Sequence, residues 1–200
     1  VKITKKPGEA NLHKADLQLP IALPARLTTL QKACTEGQFN ANPAGCPAAS
    51  VIGTAKLNTP VLSVPVMGPA FLVSHGGAAF PDVEFVLQGE GVTVVVDGAT
   101  DIKKGITYSK FETAPDQPFT SFETRLPEGP YSVLATDIPT KAKGSLCGQN
   151  LTMPTTLTGQ NEAVFTQTTK IAVSGCPKSK KRTVTKLKHA KKNANAGGTK

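Results

Sequence analysis

The chain has 200 residues, 38% of them hydrophobic and 5% aromatic, with a formal net charge of +9. That length admits one domain or two small ones, and no run approaches the roughly 18–20 consecutive apolar residues that an α-helix needs to cross a bilayer. Nine of the 23 Lys and Arg lie between Lys178 and Lys200 with no Asp or Glu among them, so residues 1–177 set fourteen cations against all fourteen anions.

Taken in chain order, residues 1–9 are basic and polar and read as a leader segment. Leu12, Ala15, Leu17 and Leu19 then form a first strand that stops at Pro20. After Pro24, Leu27, Leu30 and Cys34 recur at helical spacing, which predicts one short helix over 25–34. From Ser50 onward Gly and Pro punctuate short runs rich in Val, Ile, Phe and Thr, residues that suit a pleated and half-buried surface. Strands are predicted at 51–57, 61–66, 70–74, 83–88, 92–96, 106–111, 119–126, 131–135, 151–155 and 164–174. The alternations Val83/Phe85/Leu87, Val92/Val94/Val96 and Phe122/Thr124/Leu126 place apolar groups on one face at period two. Gly89-Glu90-Gly91 is a hairpin signal, and Asp97-Gly98, Gly76-Gly77, Ala114-Pro115-Asp116 and Pro127-Glu128-Gly129-Pro130 read as turns. About ten short strands with frequent turns predict an all-β fold, a single sandwich-like domain over residues 10–177.

The four cysteines allow three pairings. Their positions favour Cys34 with Cys46, clipping the helix exit onto the next strand, and Cys147 with Cys176, bracketing the last two strands. Paired cysteines imply an oxidising compartment. A zinc site would need short Cys-Cys spacings or nearby His, and neither is present.

Ser74-His75-Gly76-Gly77 followed by Phe80-Pro81-Asp82 holds a hydroxyl, an imidazole and a carboxylate. An esterase would also need a Gly-x-Ser-x-Gly elbow between a strand and a helix, which the chain lacks, so a turn with a hydrogen-bonded or surface His is expected. Asp97 with Asp101, and Asp82 with Glu84, put two carboxylates in each of two loops. Calcium takes six to eight oxygens, so solvated turns are expected and no metal or other cofactor is assigned. Tyr108, Phe111, Phe119 and Phe122 are expected in the core. Asn150-Leu151-Thr152 fits the glycosylation acceptor pattern.

Residues 178–200 bury too little apolar surface to offset the entropy of ordering, so a disordered tail is expected. Lys178, Lys180, Lys181, Arg182, Lys186, Lys188, Lys191 and Lys192 form a cationic block on that tail. Such a block attracts polyanions through salt-sensitive, sequence-independent forces. Nucleic acid is a possible but not a favoured partner, because no aromatics are interleaved for base stacking.

Residues 26–34, 45–55, 71–82 and 153–161, among them Gly45-Cys46-Pro47-Ala48-Ala49-Ser50 and Leu72-Val73-Ser74-His75-Gly76-Gly77-Ala78-Ala79-Phe80-Pro81-Asp82, carry a resemblance across most of residues 10–177. The chain resembles a module of large secreted proteins of soil actinobacteria, one with no known activity. The resemblance implies an exported, surface or extracellular protein and transfers no catalytic residue. The expectation is a non-enzymatic structural or adhesion module, secreted or at the cell surface and part of a longer chain, whose tail tethers it to anionic wall or surface polymers. The alternatives are a secreted hydrolase or carbohydrate-binding domain with a site near Ser74 to Asp82, and a protein led by tail binding to polyanions or nucleic acid.

Overall fold

A computed structural model describes residues 1–177; the cationic tail expected beyond them lies outside the described residues. Eleven strands form one sheet: β1 (Lys2–Thr4), β2 (Leu12–Gln18), β3 (Cys34–Thr35), β4 (Val51–Asn58), β5 (Val66–Ser74), β6 (Asp82–Gly89), β7 (Val92–Lys103), β8 (Ile106–Phe111), β9 (Ser121–Arg125), β10 (Thr152–Gly159) and β11 (Val164–Lys170). Two short helices, α1 (Leu27–Leu30) and α2 (Glu36–Ala41), lie between β2 and β4. The all-β expectation therefore holds. The strand order is β1-β9-β4-β5-β6-β7-β8-β2-β10-β11, antiparallel except that β3 pairs in parallel with β5.

Two tight hairpins build the centre of the sheet. Glu90 (φ 49°) and Gly91 (φ 77°) join β6 to β7, and Lys104 (φ 51°) and Gly105 (φ 77°) join β7 to β8. Both central residues of each turn have positive φ, the signature of the type I′ turn whose twist matches that of the flanking strands. The ladders close directly beside them, at Gly89 against Val92 and at Lys103 against Ile106. The first hairpin is the one expected from Gly89-Glu90-Gly91.

The sheet curls, and the aromatic side chains show how far. Phe85 on β6 stacks on Phe111 of β8, with ring centroids 5.8 Å apart, and meets Phe122 of β9 edge-on at 5.3 Å. β8 and β9 are five places apart in the sheet order, so one ring touches both only if the two wings fold towards each other. Inside the curl lie Ile52, Val66, Ala70, Leu72, Phe85 and Leu87, all nearly inaccessible. Gly98 is buried within β7, where an added Cβ would stand 2.3 Å from the Phe111 ring. Asp97-Gly98 is thus a mid-strand seat for an aromatic ring and not the expected turn.

A smaller core covers part of the convex side. Phe71 and Val73 of β5 and Val86 of β6 pack with Cys34 and Phe39, and the Phe39 ring meets Phe71 edge-on at 5.5 Å. Thr35 caps α2: its Oγ1 accepts from the Gln38 backbone N–H at 3.3 Å while the Gln38 side chain reaches back to the Thr35 N–H. Both expected disulfides are present, Cys34–Cys46 and Cys147–Cys176.

Several expected elements differ. The helix over 25–34 is a single turn, Leu27–Leu30, because Cys34 is drawn into the parallel bridge with Val73, and α2 follows it unannounced. Residues 61–64, expected to begin a strand, form a turn and bend between Pro60 and Pro65. Residues 131–135 supply one bridge, Leu134 to Ala25, and otherwise cover the core with Val133. The segment read as a leader contributes β1, paired with β9 from Lys2 against Glu123 to Thr4 against Ser121.

Candidate functional site

The period-two alternation directs one face of nearly every strand into the curl. Val83, Phe85 and Leu87 of β6, Val94 and Val96 of β7, and Phe122, Thr124 and Leu126 at β9 all face a cavity of about 200 Å³. Among the described residues no charged side chain lines it. Phe111 and Phe119 line it with Phe122, as expected of core aromatics; Tyr108 lies on the opposite face of β8 from Thr107 and Ser109. Its few polar groups are hydroxyls and one amide. Thr107 Oγ1 accepts from the Ala25 N–H at 3.0 Å. Thr100 Oγ1 is buried and, among the described residues, makes no hydrogen bond. A buried hydroxyl without a partner carries a desolvation penalty of about 1–3 kcal/mol.

A second constellation sits on the opposite, convex face. β6 and β7 pair so that Glu84 lies directly across from Asp97, and β5 and β6 pair so that Asp82 lies across from Val73. Val73 and Ser74 end β5, which places His75 above that corner. His75 Nε2 contacts Glu84 Oε1 at 3.0 Å and lies 3.8 Å from Asp82 Oδ2; Nδ1 lies 3.4 Å from Glu36 Oε1, at the start of α2. The capped helix and the Cys34–Cys46 bridge therefore bring Glu36 to the imidazole. Asp82 Oδ1 also accepts from the Thr100 N–H at 3.4 Å.

The electrostatics follow from crowding negative charge beside a packed sheet. Burial pushes the Glu84 carboxyl above its ordinary range; the hydrogen bond with His75 opposes this, and the nearby Asp97 and Asp82 charges add to the rise. Asp82 is raised by burial and by Asp97, against the pull of the Thr100 N–H and of His75. For His75, burial alone favours the neutral ring, but hydrogen bonds to Glu36 and Glu84 and the charges of Asp82 and Glu84 together raise it above 6.5.

Of the candidates expected from the sequence, Ser74 to Asp82 does contain a working part of this corner, but both ring nitrogens of His75 face carboxylates, and among the described residues no hydrogen bond joins it to Ser74. The loop pairs regroup: Asp82, Glu84 and Asp97 share the corner, whereas Asp101 pairs with Lys103. Glu36 carried no signal in the sequence. Asn150 is exposed beside the fully buried Leu151. The eight cationic tail residues, Lys178 to Lys192, lie outside the described residues. No protein-family model, curated protein or solved structure matches the chain.

Proposed function

We propose that the chain is a non-enzymatic extracellular module whose curled sheet holds a small apolar ligand. The two wings of the sheet act as the layers of a sandwich around it. The observation that carries this reading is the uncharged cavity of about 200 Å³, with the unpaired Thr100 hydroxyl in its wall. An apolar cavity of about 150 Å³ stays dry and takes up benzene, so this volume suits a somewhat larger molecule, such as a short acyl chain or a small terpenoid. Thr100 Oγ1 would meet its one polar group. The two disulfides support work outside the reducing cytosol, in keeping with the resemblance to secreted surface modules.

The test is a titration of the full chain with 1-octanol and with benzene, read by displacement of a fluorescent apolar probe. Both should bind. Ala15, fully enclosed on β2, lines the cavity, so Ala15→Leu should abolish binding of both by filling it. Thr100→Val should weaken octanol by about three- to tenfold, the worth of one hydrogen bond, and leave benzene unchanged. Absence of binding, or binding indifferent to Ala15→Leu, would overturn the reading.

A second reading concerns attachment and rests on the division of charge. A neutral body joined to nine cations without an anion suits a tether to anionic wall or surface polymers, acting through counterion release and with no demand on sequence.

A further inference from the structure

Four carboxylates, Glu36, Asp82, Glu84 and Asp97, surround one imidazole on the convex face, and among the described residues none of them forms an ion pair with a Lys or Arg. One ligand atom from each of His75, Glu84 and Asp97 can be chosen so that all lie within 4.8 Å of one another. We propose that these three residues form a binding site for a divalent transition metal, with zinc the ion of best fit.

The donor set supports this on three counts. First, a nitrogen ligand beside carboxylates suits zinc, whereas calcium and magnesium prefer oxygen alone. Metal–ligand bonds of about 2.0–2.2 Å put the donors of a tetrahedral ion roughly 3.4 Å apart, so the corner needs to close only slightly, and the Asp97 side chain is exposed. Second, the Glu84 side chain is only 8% exposed, and among the described residues its one hydrogen-bond partner is His75 itself. A carboxylate that secluded favours a cation beside it, and among the described residues no Lys or Arg supplies one. Third, Nδ1 of His75 already faces Glu36 at 3.4 Å. A carboxylate on the far nitrogen fixes the tautomer that presents Nε2 to a metal, the arrangement found around zinc-bound histidines. On binding, the Nε2 proton shared with Glu84 leaves to solvent and the freed lone pair goes to the ion, so one proton is exchanged for one metal at that atom. The fourth position is left to water. The ion would pin three segments together: the loop after β5, β6 and β7.

The experiment uses the full chain stripped with EDTA, titrated calorimetrically with zinc sulfate and followed by thermal denaturation. One zinc per chain and a rise in Tm are expected, with no comparable rise from calcium or magnesium. Asp97→Asn, an isosteric change at an exposed position, should weaken zinc by about 100-fold or more with an unchanged far-ultraviolet spectrum. Glu36→Gln, which touches only the orienting contact, should cost about 10- to 100-fold while the stoichiometry stays at one. Asp101→Asn should change nothing. The proposal is overturned if zinc produces no rise in Tm, if calcium binds as tightly, or if Asp97→Asn leaves zinc binding intact, since the ion would then sit elsewhere, for instance at His13 or His189.

Discussion

The corner around His75 makes the metal-free protein sensitive to pH in a definite direction. Folding raises the pKa of His75 above 6.5, so the folded chain holds this proton more tightly than the unfolded one. Its contribution is complete below that value and is lost as pH rises through the folded pKa. Asp82 and Glu84 act in the same sense: their raised folded values mean that stability falls as pH climbs above their ordinary 3.8 and 4.5. Melting temperature in EDTA should therefore decline from about pH 5 to 8, and His75→Gln should flatten the upper part of that decline. A melting temperature that rises over this range would contradict the assignment. Thr100 gives a second expectation at this scale. Thr100→Val removes an unpartnered buried hydroxyl at nearly constant shape, so stability should hold or rise by up to about 1 kcal/mol, measurable by urea denaturation. The corner itself was only half legible. Asp82 and Glu84 were paired by proximity in the sequence, as were Asp97 and Asp101, whereas the sheet pairs across the hairpin. Counting five residues outward from the Gly89–Val92 pair reaches Glu84 on one strand and Asp97 on the other, so the turn signal held the register that would have joined them.

Among the elements, β7 shows most directly how close packing constrains sequence. Gly98 leaves room for the Phe111 ring, and Gly98→Ala would drive a methyl group into it. The ring is held by Phe85 behind it, so the expected cost is about 1–3 kcal/mol of overpacking, and Phe111→Leu in the same chain should recover part of it. A double-mutant cycle in denaturant checks both. The Cys34–Cys46 bridge is the other element-scale lever. Replacing both cysteines with Ala should cost about 2–4 kcal/mol in the chain-entropy view. Because α2 carries Glu36, the same change should also weaken zinc binding, an effect absent from removal of Cys147–Cys176. Strands with strict alternation were legible because one apolar face is decisive for a half-buried sheet. The segments at 61–64 and 131–135 were not: Leu62, Val133 and Leu134 pack on the core from loops while Val61, Val64 and Tyr131 are exposed, and both kinds look locally like strand residues. The helix over 25–34 failed for a related reason: its spacing is helical, but the bridge to β5 and the disulfide extend its last residues, and tertiary contacts override a weak local preference.

At the scale of the molecule, the charge division and the curl give separate predictions for residues 178–200 and for the body. If the tail tethers the chain, retention of the full protein on a dextran sulfate column should fall steeply with salt, as counterion release demands. A chain ending at Pro177 should pass through at low salt while still binding octanol. Retention of the truncated chain would assign polyanion binding to the body instead. The curl itself was beyond the sequence: period two announces which residues share a face, but not that β8 and β9 fold towards each other. That follows from how Phe85, Phe111 and Phe122 fill one space.

The Cys147–Cys176 bridge also decides how the chain responds to being pulled. Any load applied beyond Pro177 reaches Cys176 first and passes through the covalent link to Cys147. β10 and the exposed edge strand β11, which among the described residues pairs with β10 alone, both lie between the two cysteines in sequence and are bypassed, so the last hairpin is not unzipped. The force instead leaves Cys147 along the segment that precedes it and arrives at β9, which is paired on one side with β1 and on the other with β4, so the bridge turns what would be peeling of the last hairpin into tension on a strand held from both sides.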